Sequence, residues 1–476
     1  MNENNTLEDD FTLGDVIKKK EEKNTRIKYI IIGVSSFLIL VAVVIIIIIV
    51  NIKHSPKKNN NNKEEDKEEE EEEEKEEEEE VEDDEPKELS KIALINCTFE
   101  IDITSSIETN ILNDEYKKNS KFYIFIDRKK IKFTKKYKFE ILGEHLVTFD
   151  IYEDINMDYM FKDIRELISV NMETENNIKI FSMKNTFENC KQLRDVIITG
   201  YSAEHLISTQ KLFYNTDLSD FSFENLKNNN IQDASYMFAS TSIEEFDFYD
   251  FALNKVKNMS HMFYNCYSLW DIDLYNIETS SVEDVSYLFS GCSSLSSLNL
   301  DDFHTNKVIN MSNMFEYCIS LRGLNLEYFS TENVIDMSSM FKECSLVSYI
   351  NVRNFNTSKV KNMSKMFNYC NSLYYVDVNS FDTKNVEDMS NMFSFCTSLT
   401  GLDLTSFNTI NVKNMSNMFY YCSALRTFHL SDKFKTENVV DMSGLFASVF
   451  YLNSIDLTNF NTNKVIDMSR MFSDCS

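Results

Sequence analysis

From about residue 155 onward, apolar residues recur in two alternating rhythms. Val256, Met259, Met262, Phe263 and Cys266 stand three or four residues apart, the spacing that gathers side chains on one side of a short helix. Leu269, Ile272 and Leu274 follow as L-x-x-L-x-L, and Ile272 and Leu274 flank Asp273 with the period of two that belongs to a strand. The passage then repeats. Aligned on the Phe after the usual Met, it returns at Phe161, Phe187, Phe213, Phe238, Phe263, Phe289, Phe315, Phe341, Phe367, Phe393, Phe419, Phe446 and Phe472, at intervals of 25 to 27 residues. So regular a period predicts a solenoid. Each unit reads as strand, turn, short helix. No unit buries its apolar face alone, so neighbours must stack and share a core. The fold class expected is an α/β repeat solenoid of about 13 units of ~26 residues, with parallel strands lining an inner, concave face.

Upstream the rhythm changes. Period-two alternation in 121–126, 130–133, 137–142 and 145–151 predicts a small antiparallel β module over 91–152, placed to cover the first turn of the array over 153–476. Before it, Glu64 to Glu85 holds 19 acidic residues against two lysines, so -17 of the chain's net -29 belongs to one run inside a 51–90 linker. Both prolines, Pro56 and Pro86, lie in that linker, whose composition reads as a disordered spacer. Tyr29 to Val50 is 22 residues without a charge, long enough as a helix at ~1.5 Å per residue to cross ~30 Å of hydrocarbon. It predicts a single transmembrane helix acting as an uncleaved anchor. The basic flank Lys18, Lys19, Lys20, Lys23, Arg26 and Lys28 predicts that the 1–28 tail is cytoplasmic and the rest external.

The fuller unit, as in SLSSLNLDDFHTNKVINMSNMFEYC at 294–318, resembles the 26-residue repeats of BspA-type leucine-rich repeat surface proteins. The likeness covers roughly 155–476. It implies a leucine-rich-repeat-like fold and an outward-facing array used in adhesion or recognition. The N-terminal anchor and the β module depart from that pattern.

Columns of the repeat carry the candidate chemistry. Nine of the ten cysteines lie three residues after the repeat Phe and form a ladder, with Thr216, Thr241 and Val449 at the same place in other units. Scattered histidines and no C-x-x-C argue against a metal, and the small residues at the other units favour core packing with most thiols reduced, the alternative being disulfides between stacked neighbours in an oxidising space. Methionines one and four residues before the Phe read as core filling. Asn or Asp stands before each expected helix, at Asn258, Asp284, Asn310, Asp336, Asn362, Asp388, Asn414, Asp441 and Asp467, where either residue caps a helix start. Six Asn-x-Ser/Thr triplets, at Asn96, Asn258, Asn310, Asn356, Asn362 and Asn414, also spell glycosylation acceptors.

No phosphate-binding glycine loop, nucleophile and base pair or isolated carboxylate pair stands out, so the chain reads as a non-enzyme without a cofactor or metal and without a nucleic-acid partner. Binding remains. The outward strand position collects Asp247, Asp273, Asn299, Asn325, Asn351, Asp377, Asp403, His429 and Asp456, beside Trp270, Tyr349, Tyr374 and Tyr375. Trp270, Asp273, Tyr349, Tyr374, Tyr375, Asp377 and Asp403 are therefore the candidate contacts for a protein or glycan ligand, the plainer alternative being that the polar stripe only solvates the sheet. The expected function is a membrane-anchored cell-surface binding or adhesion protein. The alternative is a structural or scaffold membrane protein in an organelle or facing the cytoplasm. The stop at Ser476, in mid-unit, reads as a chain that continues or as an end that contacts another copy.

Overall fold

The computed structural model describes residues 91–475 except 103–107, 225, 227, 228, 250 and 453. They belong to one compact unit, Glu85–Ser476. The expected anchor Tyr29–Val50, the cytoplasmic tail and the acidic linker lie outside the described residues. Among the described residues, no helix is long and apolar enough to cross a membrane.

The chain opens with β1 (Ala93–Ile101), β2 (Thr109–Asn110), β3 (Phe122–Ile126), β4 (Lys129–Ile131), β5 (Lys136–Tyr137) and β6 (Gly143–Ile151). β7 (Leu167–Glu173), β8 (Asp195–Thr199) and β9 (Asp220–Phe223) belong to the first repeats. Seven of these strands form one sheet in the order β4-β3-β6-β1-β7-β8-β9. β1 pairs antiparallel with β6 on one side and with β7 on the other, while β7, β8 and β9 run parallel. The antiparallel module thus covers the first turn of the solenoid through backbone hydrogen bonds. β1 was not foreseen in the sequence, although its ALINCTFEI buries every second residue.

Further along, the strands shorten to two to four residues: β10 (Glu245–Asp247), β11 (Asp271–Asp273), β12 (Gly323–Asn325), β13 (Tyr349–Asn351), β14 (Tyr375–Val376), β15 (Gly401–Leu404) and β16 (Thr427–Leu430). Neighbours pair in parallel, in a register one repeat apart, as in Leu324↔Ile350 and Ile350↔Val376.

The expected helices are absent. Among the described residues the repeats contain no α-helix, and the fold is a β-solenoid, not an α/β one. The unit around Phe367 gives the reason. The amides of Met366 and Cys370 donate locally to the carbonyls of Met363 and Phe367, at 3.3 and 3.2 Å, closing four-residue turns. The third residue of each turn, Lys365 or Tyr369, has φ of 58° or 59°, which is the left-handed position of a type II turn. The intervening amides of Met363, Lys365, Phe367 and Tyr369 instead donate to Asp388, Ser390, Met392 and Ser394 of the next unit, at 2.8 to 3.0 Å. A helix would keep all of these bonds within one unit. Two left-handed residues that are not glycine cost roughly 1–2 kcal/mol each. Four lateral bonds at about 0.5–1.5 kcal/mol each, together with the burial they enforce, offset that cost.

Tandem four-residue turns repeat apolar residues at their first and fourth positions. Met363, Met366, Phe367 and Cys370 are all fully buried, as a helix would also have left them. The core was therefore legible although the conformation was not. The repeat phenylalanines stack in one column from Phe161 to Phe472, with ring centroids 5.4 to 6.0 Å apart and planes within 17° of parallel. Phe149 of β6 closes the column edge-on against Phe161 at 5.6 Å.

The Asn/Asp column has a different task from the helix cap expected of it. The Asn258 side-chain oxygen accepts the Ser260 amide at 2.9 Å, a turn made by the side chain, and the same bond recurs at Asp284, Asn310, Asp336, Asn362, Asp388, Asn414, Asp441 and Asp467. The backbones of these residues form a bridge at each step of the array.

Candidate binding surfaces

The cysteine ladder belongs to the core. None of the described cysteines is bonded to another, and all but Cys475 are fully buried. Each ladder thiol donates to the carbonyl of the repeat Phe one unit earlier, for example Cys370 Sγ to Phe341 O and Cys396 Sγ to Phe367 O, both at 3.1 Å. The Phe341 and Phe367 carbonyls already accept the amides of Cys344 and Cys370 of their own units, so the thiol fills a second lone pair which water does not reach. Thr216 and Thr241 donate instead to the Phe carbonyl of their own unit. Burial pushes the thiols up, to about 11 at Cys266 and about 12 at Cys422, against the population of thiolate. Among the described residues, no three His, Cys, Asp or Glu side chains gather as a metal site.

The strand face carries the polar stripe. Asp273 and Asp403 are exposed there and Asp377 is half-buried. Their side chains have a structural duty that sequence reasoning missed. Asp273 accepts the Tyr275 amide at 2.9 Å, Asp377 that of Asn379 at 3.2 Å and Asp403 that of Thr405 at 3.0 Å. Asp247, Asn299, Asn325, Asn351 and Asp456 close the same turn at the strand end. Asn and Asp interchange in this column because either offers the one oxygen the turn requires. Hydrogen bonds from Thr405, and then the nearby His429, hold the Asp403 carboxyl below its ordinary value. Asp377 also pairs with Arg353 at 3.1 Å.

The aromatic candidates separate. Trp270 stands 45% exposed three units before Tyr349 and four before Tyr374 and Tyr375, and is not brought together with them. Tyr349 and Tyr375 are register partners on adjacent strands, and Tyr374 precedes Tyr375, so these three form one exposed cluster. In the same register column the unit before Tyr349 has Gly323 and the unit after Tyr375 has Gly401. The tyrosine pair is thus bracketed by positions without a side chain.

A second surface lies along the tandem turns and had no signal in the apolar rhythm, because its residues occupy the polar turn positions. His261 is sandwiched between Tyr236 at 4.1 Å and Tyr287 at 4.4 Å, with Tyr264 edge-on at 5.4 Å and Lys211 over Tyr214 and Tyr236. The column two residues before the repeat Phe could have revealed it, since it holds Tyr236, His261 and Tyr287 in successive units, all at φ of 56 to 59°. Burial lowers His261 to about 4, only partly opposed by Asp284, and its Nδ1 is buried without a hydrogen-bond partner. Further along, Tyr369 stacks on Phe395 at 4.1 Å. Rings packed face to face at this distance have little face left for a ligand, so this surface is mainly a second stacking ladder.

Of the glycosylation candidates, Asn356 is exposed, and Asn96, Asn258, Asn310, Asn362 and Asn414 are half-buried. The Asn96 side-chain oxygen accepts the Thr148 hydroxyl at 3.0 Å.

Turn-linked parallel rungs, a continuous aromatic column and an N-terminal covering sheet define a β-solenoid repeat protein. The repeats match the family described as "Mycoplasma protein of unknown function, DUF285" over 155–272, 181–301, 232–349, 287–401, 347–431 and 402–476. The chain belongs to that family. No curated protein and no solved structure matches it.

Proposed function

We propose that this chain is a binding protein whose solenoid presents the strand-face cluster Tyr349, Tyr374 and Tyr375 to a protein or glycan ligand. The observation that carries the reading is the exposed tyrosine pair held in register on adjacent rungs and bracketed by Gly323 and Gly401. Amphipathic rings on a rigid scaffold contribute contact area at small entropic cost. Resemblance of the 26-residue unit to BspA-type surface repeats points the same way, toward adhesion or recognition. Placement at a cell surface rests on the sequence of 29–50 alone.

Arrays of immobilised glycans and surface proteins, probed with the full chain and with the triple variant Tyr349→Ala, Tyr374→Ala and Tyr375→Ala, test the proposal. Attachment should be lost in the variant while far-UV circular dichroism is unchanged. Attachment unaffected in the variant would assign the ligand to another face.

A further inference from the structure

We infer that the N-terminal sheet carries a docking surface for an anionic lipid bilayer, built from a basic strip and an exposed apolar tip. Residues 117–142 hold ten Lys or Arg and two carboxylates, a net +8 in 26 residues, whereas 91–476 as a whole is net -15. Arg128, Lys129, Lys132, Lys136 and Lys138 are exposed, and among the described residues none of the five is paired with a carboxylate. Of the two carboxylates, Asp127 is taken up by His145 at 2.7 Å and by the Leu146 amide at 3.0 Å, which leaves Glu140.

Alternation sets the direction of the strip. Tyr137 and Phe139 pack on each other at 5.0 Å, and Phe139 lies 6.2 Å from the buried Phe99, so Lys136 and Lys138 face solvent. The chain then reaches Ile141 and Leu142, 70% and 60% exposed, and Leu146 is 40% exposed. This tip is not a loose end. His145 Nε2 donates to Ile141 O at 2.8 Å while its Nδ1 donates to Asp127, and the Asp127 amide donates to Leu146 O at 2.9 Å. These bonds tie the apolar residues to the turn at Asp127 and Arg128.

Two plainer readings each account for a part. Lysines guard the free edge of a sheet against pairing. The edge strand β4 is only Lys129–Ile131, however, and Lys132, Lys136 and Lys138 lie beyond it. Single exposed apolar residues are ordinary, but Ile141, Leu142 and Leu146 are grouped and pinned at one place.

Charge complementarity calls for an anionic partner, and the tip chooses among anions. A soluble polyanion would pair with the cations and offer nothing apolar to Ile141 and Leu142. An anionic bilayer receives both, with the cationic heads among the headgroups and the tip in the acyl boundary. Each cation brought to such a surface strengthens binding about fivefold, and screening over ~8 Å at physiological salt limits the gain to direct contact. The surface is separate from the strand-face tyrosines and does not depend on the ligand they take.

The full chain is reconstituted into vesicles of phosphatidylcholine brominated on its acyl chains, with and without about a third of phosphatidylserine. The reporter is Leu142→Trp in a chain that also carries Trp270→Phe, so that all indole emission comes from the tip. Bromine quenches only an indole that reaches the acyl region, which makes the readout independent of residues 29–50. Quenching should be about threefold or more greater with phosphatidylserine than without. Lys132→Glu, Lys136→Glu and Lys138→Glu together should return it to the level of neutral vesicles; Lys→Gln at the same positions serves if circular dichroism shows that the reversals do not fold. Trp270 in the unaltered chain should not be quenched. Equal quenching with and without phosphatidylserine, quenching retained in the reversal variant, or equal quenching of Trp270 would each overturn the proposal. So would an unquenched reporter, and binding of dextran sulfate in that case would make a soluble polyanion the occupant.

Discussion

Replacing Lys365 first by Ala and then by Gly separates a turn from a helix by the sign of the effect. Lys365 is exposed, has φ of 58° and donates its amide to Ser390 O at 2.8 Å, a bond that either replacement retains. The Ala variant preserves the left-handed strain and sets the reference. In going from Ala to Gly, the loss of Cβ relieves roughly 1–2 kcal/mol of that strain. The greater freedom of Gly in the unfolded chain takes back about 0.5–1 kcal/mol. The net expectation is a gain of about 0.5–1 kcal/mol for Gly over Ala. In a helix the same change would cost about 1 kcal/mol. Gly291 and Gly444 already occupy left-handed turn positions in other units, at φ of 80° and 60°. Urea unfolding of the full chain, followed by circular dichroism with both variants at matched slopes, measures the difference. A Gly variant less stable than the Ala variant by 0.5 kcal/mol or more would refute the tandem-turn account.

Phe367→Ala empties a fully buried ring between stacking partners at 5.5 and 5.4 Å, and should cost ~3–5 kcal/mol in the same assay. Cys370→Ala removes a smaller volume and one thiol donor, so it should cost less than half as much, and equal costs would count against the column as the main core. Alkylation without reductant, read by mass spectrometry, should label the ladder cysteines only after denaturant is added; labelling that still requires reductant would show bridges instead. His261 titrates near 4 when folded, below its ordinary ~6.5, so the native state binds fewer protons than the unfolded chain between these values. Its contribution to stability is complete above about 6.5 and is lost as pH falls toward about 4. His261→Phe should flatten the midpoint of unfolding across that window, and an unchanged pH profile would remove His261 as the cause.

The period, the columns and most of the core were legible in the residues alone. Phe, Met, Cys and the L-x-x-L-x-L residues fall at fixed places in each unit, and most are buried where the pattern put them, the last unit excepted, where Met468 and Phe472 are exposed. The antiparallel module was legible in part: alternation with a period of two marked β3, β4 and β6 but not β1, and the expected run 137–142 forms no strand beyond Tyr137. Helix against turn was not legible. Apolar residues at the first and fourth places of two successive four-residue turns coincide with those of a helix of period 3.6 over a stretch as short as Met363 to Cys370. Asn and Asp before that stretch serve a turn as well as a cap. The role of the strand-face stripe was hidden for the same reason, since Asp273 or Asp403 reads alike as a ligand contact or as a turn-closing acceptor. Contacts between neighbouring units settle these points. The alternate amides of the turns have no partner within their own unit, and the neighbouring unit 25 or 26 residues away supplies the carbonyls that make the turn, and not the helix, the conformation in which all of them are satisfied.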